Sequence, residues 1–96
     1  MTAERVVALD RAAARAAQWT EAGENVVLAI GSFDLLEAAH AGSLAVARAR
    51  GDRMIVLVRD DASAALRLGG GRPVIEAVER ARLVAALRGV DLVAVT

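Results

Sequence analysis

A three-layer α/β fold with a short parallel sheet of about three strands is what this sequence predicts. Three observations carry that expectation. Uninterrupted apolar runs at Val26–Ile30, Arg53–Val58 (after its first residue) and Leu92–Val95 have the pattern of strands buried on both faces. Segments with helical periodicity separate them. Gly23, Gly51 and Gly89 stand where those helices should stop. Strands alternating with helices imply right-handed crossovers, and such sheets bind ligands beyond the C-terminal ends of their strands. The 96 residues suit one domain, 1–96, without an internal repeat.

The first helix is expected from about Ala3 to Ala22. Val6, Leu9, Ala13, Ala16 and Ala17 recur at helical spacing, Thr2 is placed to cap, and Trp19 should pack the helix onto the sheet. A second helix is expected over about His40–Arg50, with Leu44, Ala47 and Val46 as candidates to face inward. After the second strand, Asp60 or Asp61 should cap a short helix through Leu66. Gly69-Gly70-Gly71-Arg72-Pro73 reads as a flexible loop. Ile75–Arg88 reads as a third long helix, supported by Glu76 and Arg80 at four-residue spacing.

Composition narrows the function classes. Aromatic residues make up 2% of the chain against 56% hydrophobic, so the core must be aliphatic, and 23 alanines allow thin, closely packed helices. Twelve basic residues balance twelve acidic ones, which argues against a nucleic-acid or anionic-membrane surface. Every basic residue is Arg, which excludes a lysine nucleophile, a Schiff base and a P-loop lysine. With no Cys there is no disulfide and no thiolate metal site, in keeping with a cytoplasmic protein. No segment approaches the ~18 apolar residues of a membrane span, and the N-terminus lacks the order of a signal peptide.

The stretch with chemical content runs from Gly31 to His40, G-S-F-D-L-L-E-A-A-H. It places a strand, a tight turn and a helix N-terminus in succession, a layout that presents backbone N–H groups to a phosphate. The stretch resembles the G-x-F-D-x-x-H-x-G-H signature of the nucleotidyltransferase superfamily, in its cytidylyltransferase-like branch. The resemblance is closest to the adenylyltransferase domain that makes ADP-heptose from heptose 1-phosphate. It continues through Asp60-Asp61-Ala62-Ser63, through Gly69, Gly71, Arg72 and Pro73 (the family's L-K-G-x-x-R-P loop), and through Glu79-Arg80-Ala81 to Val90-Asp91. It implies a Rossmann-like nucleotidyltransferase fold. It also implies transfer of a nucleotidyl group from ATP or CTP to a sugar or polyol phosphate, with release of pyrophosphate and the help of magnesium. The residues it assigns are His40 as the catalytic residue and Gly31, Ser32, Phe33, Asp34, Arg72 and Arg80 as nucleotide- or phosphate-binding.

Four positions depart from the family pattern. Glu37 replaces the first histidine, Ala39 the glycine, Leu68 the lysine of the L-K-G loop, and Ile30 the usual Asn before Gly31. A carboxylate about 4 Å from a phosphate charge would cost about 4 kcal/mol at an effective dielectric of about 20, unless Glu37 turns away or takes a metal. Arg67, beside Leu68, is a partial substitute for the lysine. Bland roles stand beside the functional ones. Asp34 serves equally as a helix cap, Phe33 as core, Arg72 and Arg80 as ion-pair partners, and Asp60-Asp61 as solvated acids rather than metal ligands. The family also continues into further strands that flank Val26–Ile30, whereas this sequence stops at Thr96. That strand is then an apolar, uncharged sheet edge, to be covered by the first helix or paired with a second copy in a homodimer. The expectations are a domain with weak or lost transferase activity, a scaffold that pairs through this edge, or an enzyme in which Glu37 has a new role.

Overall fold

The structure is a computed structural model that describes residues 2–36 and 38–96; Glu37 lies outside the described residues. A short 3₁₀ turn, Thr2–Arg5, precedes α1 (Leu9–Glu21), β1 (Val26–Gly31), α2 (Ala38–Arg48), β2 (Arg53–Val58), α3 (Asp61–Leu68), α4 (Ala77–Ala85) and β3 (Leu92–Val95). The strands form one parallel sheet in the order β1-β2-β3, with Val26 opposite Arg53 and Ile55 opposite Leu92. The expected α/β architecture with a short parallel sheet is therefore what the chain adopts.

Side chains alternate across the sheet as strand geometry requires. Met54, Val56, Val58 and Val93 point to one face and pack with Leu44 of α2 and Ala81, Val84 and Ala85 of α4. Ile55 and Ala94 point to the other and pack with Ala12 and Trp19 of α1. Trp19 thus anchors α1 as expected, with the guanidinium carbons of Arg15 and Arg53 lying 5.0 and 5.1 Å from its ring centroid.

Four expectations need correction. The first helix begins at Leu9, not Ala3. Val6 and Val7, β-branched residues at home in extended chain, lie along β3 instead: Val6 bridges Val93, and the Val7 N–H donates to the Val93 carbonyl at 2.9 Å. The long helix expected over Ile75–Arg88, α4, is shorter. It starts at Ala77 because the N–H groups of Val74 and Ile75 are turned toward Asp34, and it ends at Ala85 in tighter turns that lead to Gly89, whose φ is +89°. Arg80 does not pair with Glu76, since its side chain turns into the interior. Finally, β1 is not covered on both faces: Leu28 is 60% and Ile30 51% exposed, and Val46 also faces outward.

The short third helix forms with the expected cap. Asp60 is extended and its Oδ1 accepts from the Ser63 N–H at 2.8 Å. Among the described residues no helix is long and apolar enough to cross a membrane.

Candidate functional site

The C-terminal ends of β1 and β2 meet where the chain turns into α2 and α3, and the candidate site lies there. Gly31 closes β1. A Cβ on Gly31 would stand 2.8 Å from Cε2 of Phe33, so the ring of Phe33 occupies the space a side chain would need. The glycine of the G-x-F-D motif is required here by its own phenylalanine. Phe33 and Leu35 both take left-handed backbone conformations, φ +53° and +54°, which cost a non-glycine residue roughly 1–2 kcal/mol each.

These two twists aim Asp34 inward. Its side chain is 1% exposed and accepts three hydrogen bonds: from Arg72 Nε at 2.6 Å, the Val74 N–H at 2.8 Å and the Ile75 N–H at 3.0 Å. Burial works to raise its pKa. The bond from Val74, the bond and charge of Arg72 and the bond from Ile75 more than offset this and hold it at about 2. Asp34 is therefore an ionised clamp on the loop before α4.

A second clamp lies beneath the first. Arg80 is 0% exposed, and its guanidinium donates to the carbonyls of Ile75 (Nε, 2.8 Å), Ser32 and Arg59 (Nη1, the latter at 2.9 Å) and to Asp61 Oδ1 (Nη2, 2.7 Å). It thereby ties together the exits of β1 and β2 and the entry to α4. The same Asp61 oxygen accepts from the Ala77 N–H at 2.9 Å and so caps α4 from a distant part of the chain. In this structure Arg80 lies behind the site and supports it, with no surface for a ligand to touch.

In front of these clamps an open cleft of about 370 Å³ is lined by Ser32, Phe33, Asp34, His40, Leu68 and Arg72. His40 stands on the first turn of α2, half-buried, its ring edge-on to Phe33 at 5.8 Å between centroids and 73° between planes. Arg72 is bound to Asp34 through Nε, and its side chain is 33% exposed, so the outer end of the guanidinium is presented to the cleft. Leu68 lines the wall where the family pattern has lysine, while Arg67 is exposed and is not among the lining residues. The structure thus brings Ser32, Phe33, Asp34, His40 and Arg72 together, places Gly31 under the Phe33 ring and Arg80 behind them, and leaves Arg67 apart.

Sequence reasoning missed Asp61 as the partner of Arg80. The two are nineteen residues apart with no local pattern to link them, and only the packing of α4 against the exit of β2 makes them neighbours. As for magnesium, no three His, Asp or Glu side chains converge among the described residues. The carboxylate in the cleft, Asp34, already holds three donors. The described residues therefore do not form a cage for the ion.

Comparison with known proteins identifies the family and the fold. The family model described as cytidylyltransferase-like matches residues 28–96. The bifunctional protein HldE of Methylobacillus flagellatus is 43% identical over 91 residues, covering 95% of this chain and 19% of that protein. HldE of Streptomyces coelicolor is 51% identical over 70 residues, 73% of this chain and 15% of that protein. The chain thus spans less than a fifth of the length of these curated relatives. A lipopolysaccharide core biosynthesis protein from Thermoplasma volcanium, known from its crystal structure, superposes with a TM-score of 0.69 at 30% identity, over 77% of this chain and 59% of that one. With the motifs in order, the parallel sheet and the cleft at its C-terminal edge, the chain belongs to the cytidylyltransferase-like family.

Proposed function

We propose that the cleft between His40 and Arg72 binds the phosphates of a nucleoside triphosphate, and that the domain serves nucleotidyl transfer to a sugar phosphate at low efficiency. The observation that supports this most directly is the Asp34–Arg72 pair. Asp34 fixes the guanidinium through Nε at 2.6 Å and leaves its outer end facing the cleft that His40 also lines. A guanidinium held in this way is pre-organised for a phosphate oxygen.

In the transfer, an oxygen of the sugar phosphate attacks the α-phosphorus of the triphosphate. The bond from that phosphorus to the bridging oxygen breaks, and the electron pair leaves with pyrophosphate. No covalent intermediate on the protein is needed. Arg72 and the imidazole of His40 would stabilise negative charge on the phosphate oxygens as the bond changes. The low efficiency rests on Leu68, an apolar residue in the cleft lining that supplies no charge to the phosphates. Magnesium would arrive on the nucleotide's own phosphates, its usual mode with such ligands.

The test is titration of the magnesium complexes of ATP and CTP against the imidazole resonances of His40, the sole histidine. Shifts that saturate at millimolar nucleotide and vanish in Arg72→Ala are expected. Unmoved resonances at that concentration end the binding claim, and pyrophosphate release at the rate of the protein-free control removes the catalytic part alone.

A further inference from the structure

We propose that the cleft between His40 and Arg72 is a single-phosphate site, which holds a phosphomonoester (a nucleoside or sugar monophosphate) at least as tightly as a free triphosphate. The proposal rests on the reading that this cleft binds phosphates, and it names the class of phosphate that the cleft selects. Its first support is the charge of the lining. Arg72 is the sole arginine among the residues that line the cleft, and Asp34, bound to it at 2.6 Å, lines the cleft too. The Asp34 carboxyl, held at about 2, is ionised at neutral pH. The pair thus presents the outer end of a guanidinium as a hydrogen-bond donor while carrying no net charge.

Such a pair attracts a near phosphate, and its pull fades quickly beyond it. For a phosphate about 4 Å from the guanidinium and about 8 Å from the carboxylate, about half of the attraction is cancelled. For a second phosphate about 4 Å farther out, about two-thirds is cancelled, which leaves about a third of the net attraction on the first. Screening by salt, with a Debye length of about 8 Å, reduces the remainder further. Arg80 does not make up the difference, because it is 0% exposed and is bound to Asp61 at 2.7 Å.

Leu68 is the residue that sets this limit. It lines the cleft, is 41% exposed and ends α3. The last carbonyls of a helix carry partial negative charge, so this wall adds no attraction for further phosphates. Arg67, one residue earlier, is exposed and is not among the lining residues. The charge that a second and third phosphate would need is therefore missing at one identifiable position.

The experiment is titration of AMP, ADP, ATP and glucose 1-phosphate into the chain without magnesium at pH 8, followed by the imidazole resonances of His40. At that pH AMP carries about two negative charges and ATP about four, since a phosphomonoester loses its second proton near about pH 6. ATP should bind no more than about threefold more tightly than AMP, and glucose 1-phosphate should displace AMP. In Leu68→Lys, a unit charge about 8 Å from the outer phosphates should make ATP bind about tenfold more tightly than AMP. A larger preference for ATP in the parent chain overturns the proposal and leaves the triphosphate reading standing. An unchanged ratio in Leu68→Lys overturns it as well. So does failure of glucose 1-phosphate to displace AMP, which would assign the binding to the base. Unmoved resonances with all four ligands also overturn it, and the triphosphate reading falls with it only if the magnesium complexes of ATP and CTP are equally without effect.

Discussion

Removing the guanidinium of Arg80 gives the most direct test of how the site is supported. Arg80→Met keeps a long apolar stem but deletes the donors to the carbonyls of Ser32, Arg59 and Ile75 and to Asp61 Oδ1. Hydrogen bonds to a charged group contribute about 1.5–3 kcal/mol each, so the four bonds sum to roughly 6–12 kcal/mol as an upper bound. Two effects reduce this. Asp61 is 52% exposed, so its carboxylate regains water when the arginine is lost. Methionine also recovers apolar contact in the vacated space. The expected loss is about 3–5 kcal/mol, because three carbonyls lose a charged donor at roughly 1–3 kcal/mol each while the carboxylate is resolvated. That is a large part of the ~5–15 kcal/mol that holds a domain folded. Arg80→Lys retains the charge but lacks the planar fork, reaches only some of the acceptors, and should lose about 1–3 kcal/mol. Urea unfolding followed by Trp19 fluorescence measures both, since Trp19 is the sole tryptophan and is 8% exposed in the folded chain. In Arg80→Lys, nucleotide affinity should also fall while the domain remains folded, because the exits of β1 and β2 lose their common tie. Arg80→Met within about 1 kcal/mol of the parent would falsify the view that this arginine holds the loops together.

Other substitutions test the rest of the site. Gly31→Ala forces a methyl group into the Phe33 ring, 2.8 Å away, and should destabilise by about 1–3 kcal/mol; an unchanged melting temperature would show that the ring moves aside freely. Asp34 has its folded pKa lowered from 3.8 to about 2, so its contribution is present above the unfolded value and is lost as pH falls from about 4 toward 2. Asp34→Asn should therefore be less stable than the parent at neutral pH and should lose part of the parent's decline over that acid range, as read by acid unfolding; identical acid profiles would contradict the clamp. Asp60→Ala removes the cap on α3 and should lower stability by about 1 kcal/mol in urea, with no change expected at the neighbouring exposed Leu66 when it is made polar.

Much of the fold is legible in the residues taken alone, because the signals are local. Continuous apolar runs marked all three strands, Asp60 or Asp61 was marked as the cap of α3, and Gly23 stood where α1 ends. The motifs from Gly31 to Asp91 pointed to the family for the same reason, since spacing along a chain survives in its sequence. Tertiary structure decided everything that depends on distant partners. Val6 had the periodicity of a helix, but it and Val7 found β3. Ile75 and Glu76 had helical propensity, yet Asp34, some forty residues earlier, drew the N–H groups of Val74 and Ile75 out of the helix. Arg72 and Arg80 looked equivalent as family cations, and only packing separated them: one guanidinium is held at the mouth of the cleft, the other is sealed behind it. The sequence by itself thus determined which elements form and what lineage they belong to. Which charges face a ligand and which hold the walls was settled by three-dimensional contact, because the acceptors that distinguish them come from three separate segments, the exits of β1 and β2 and the loop before α4.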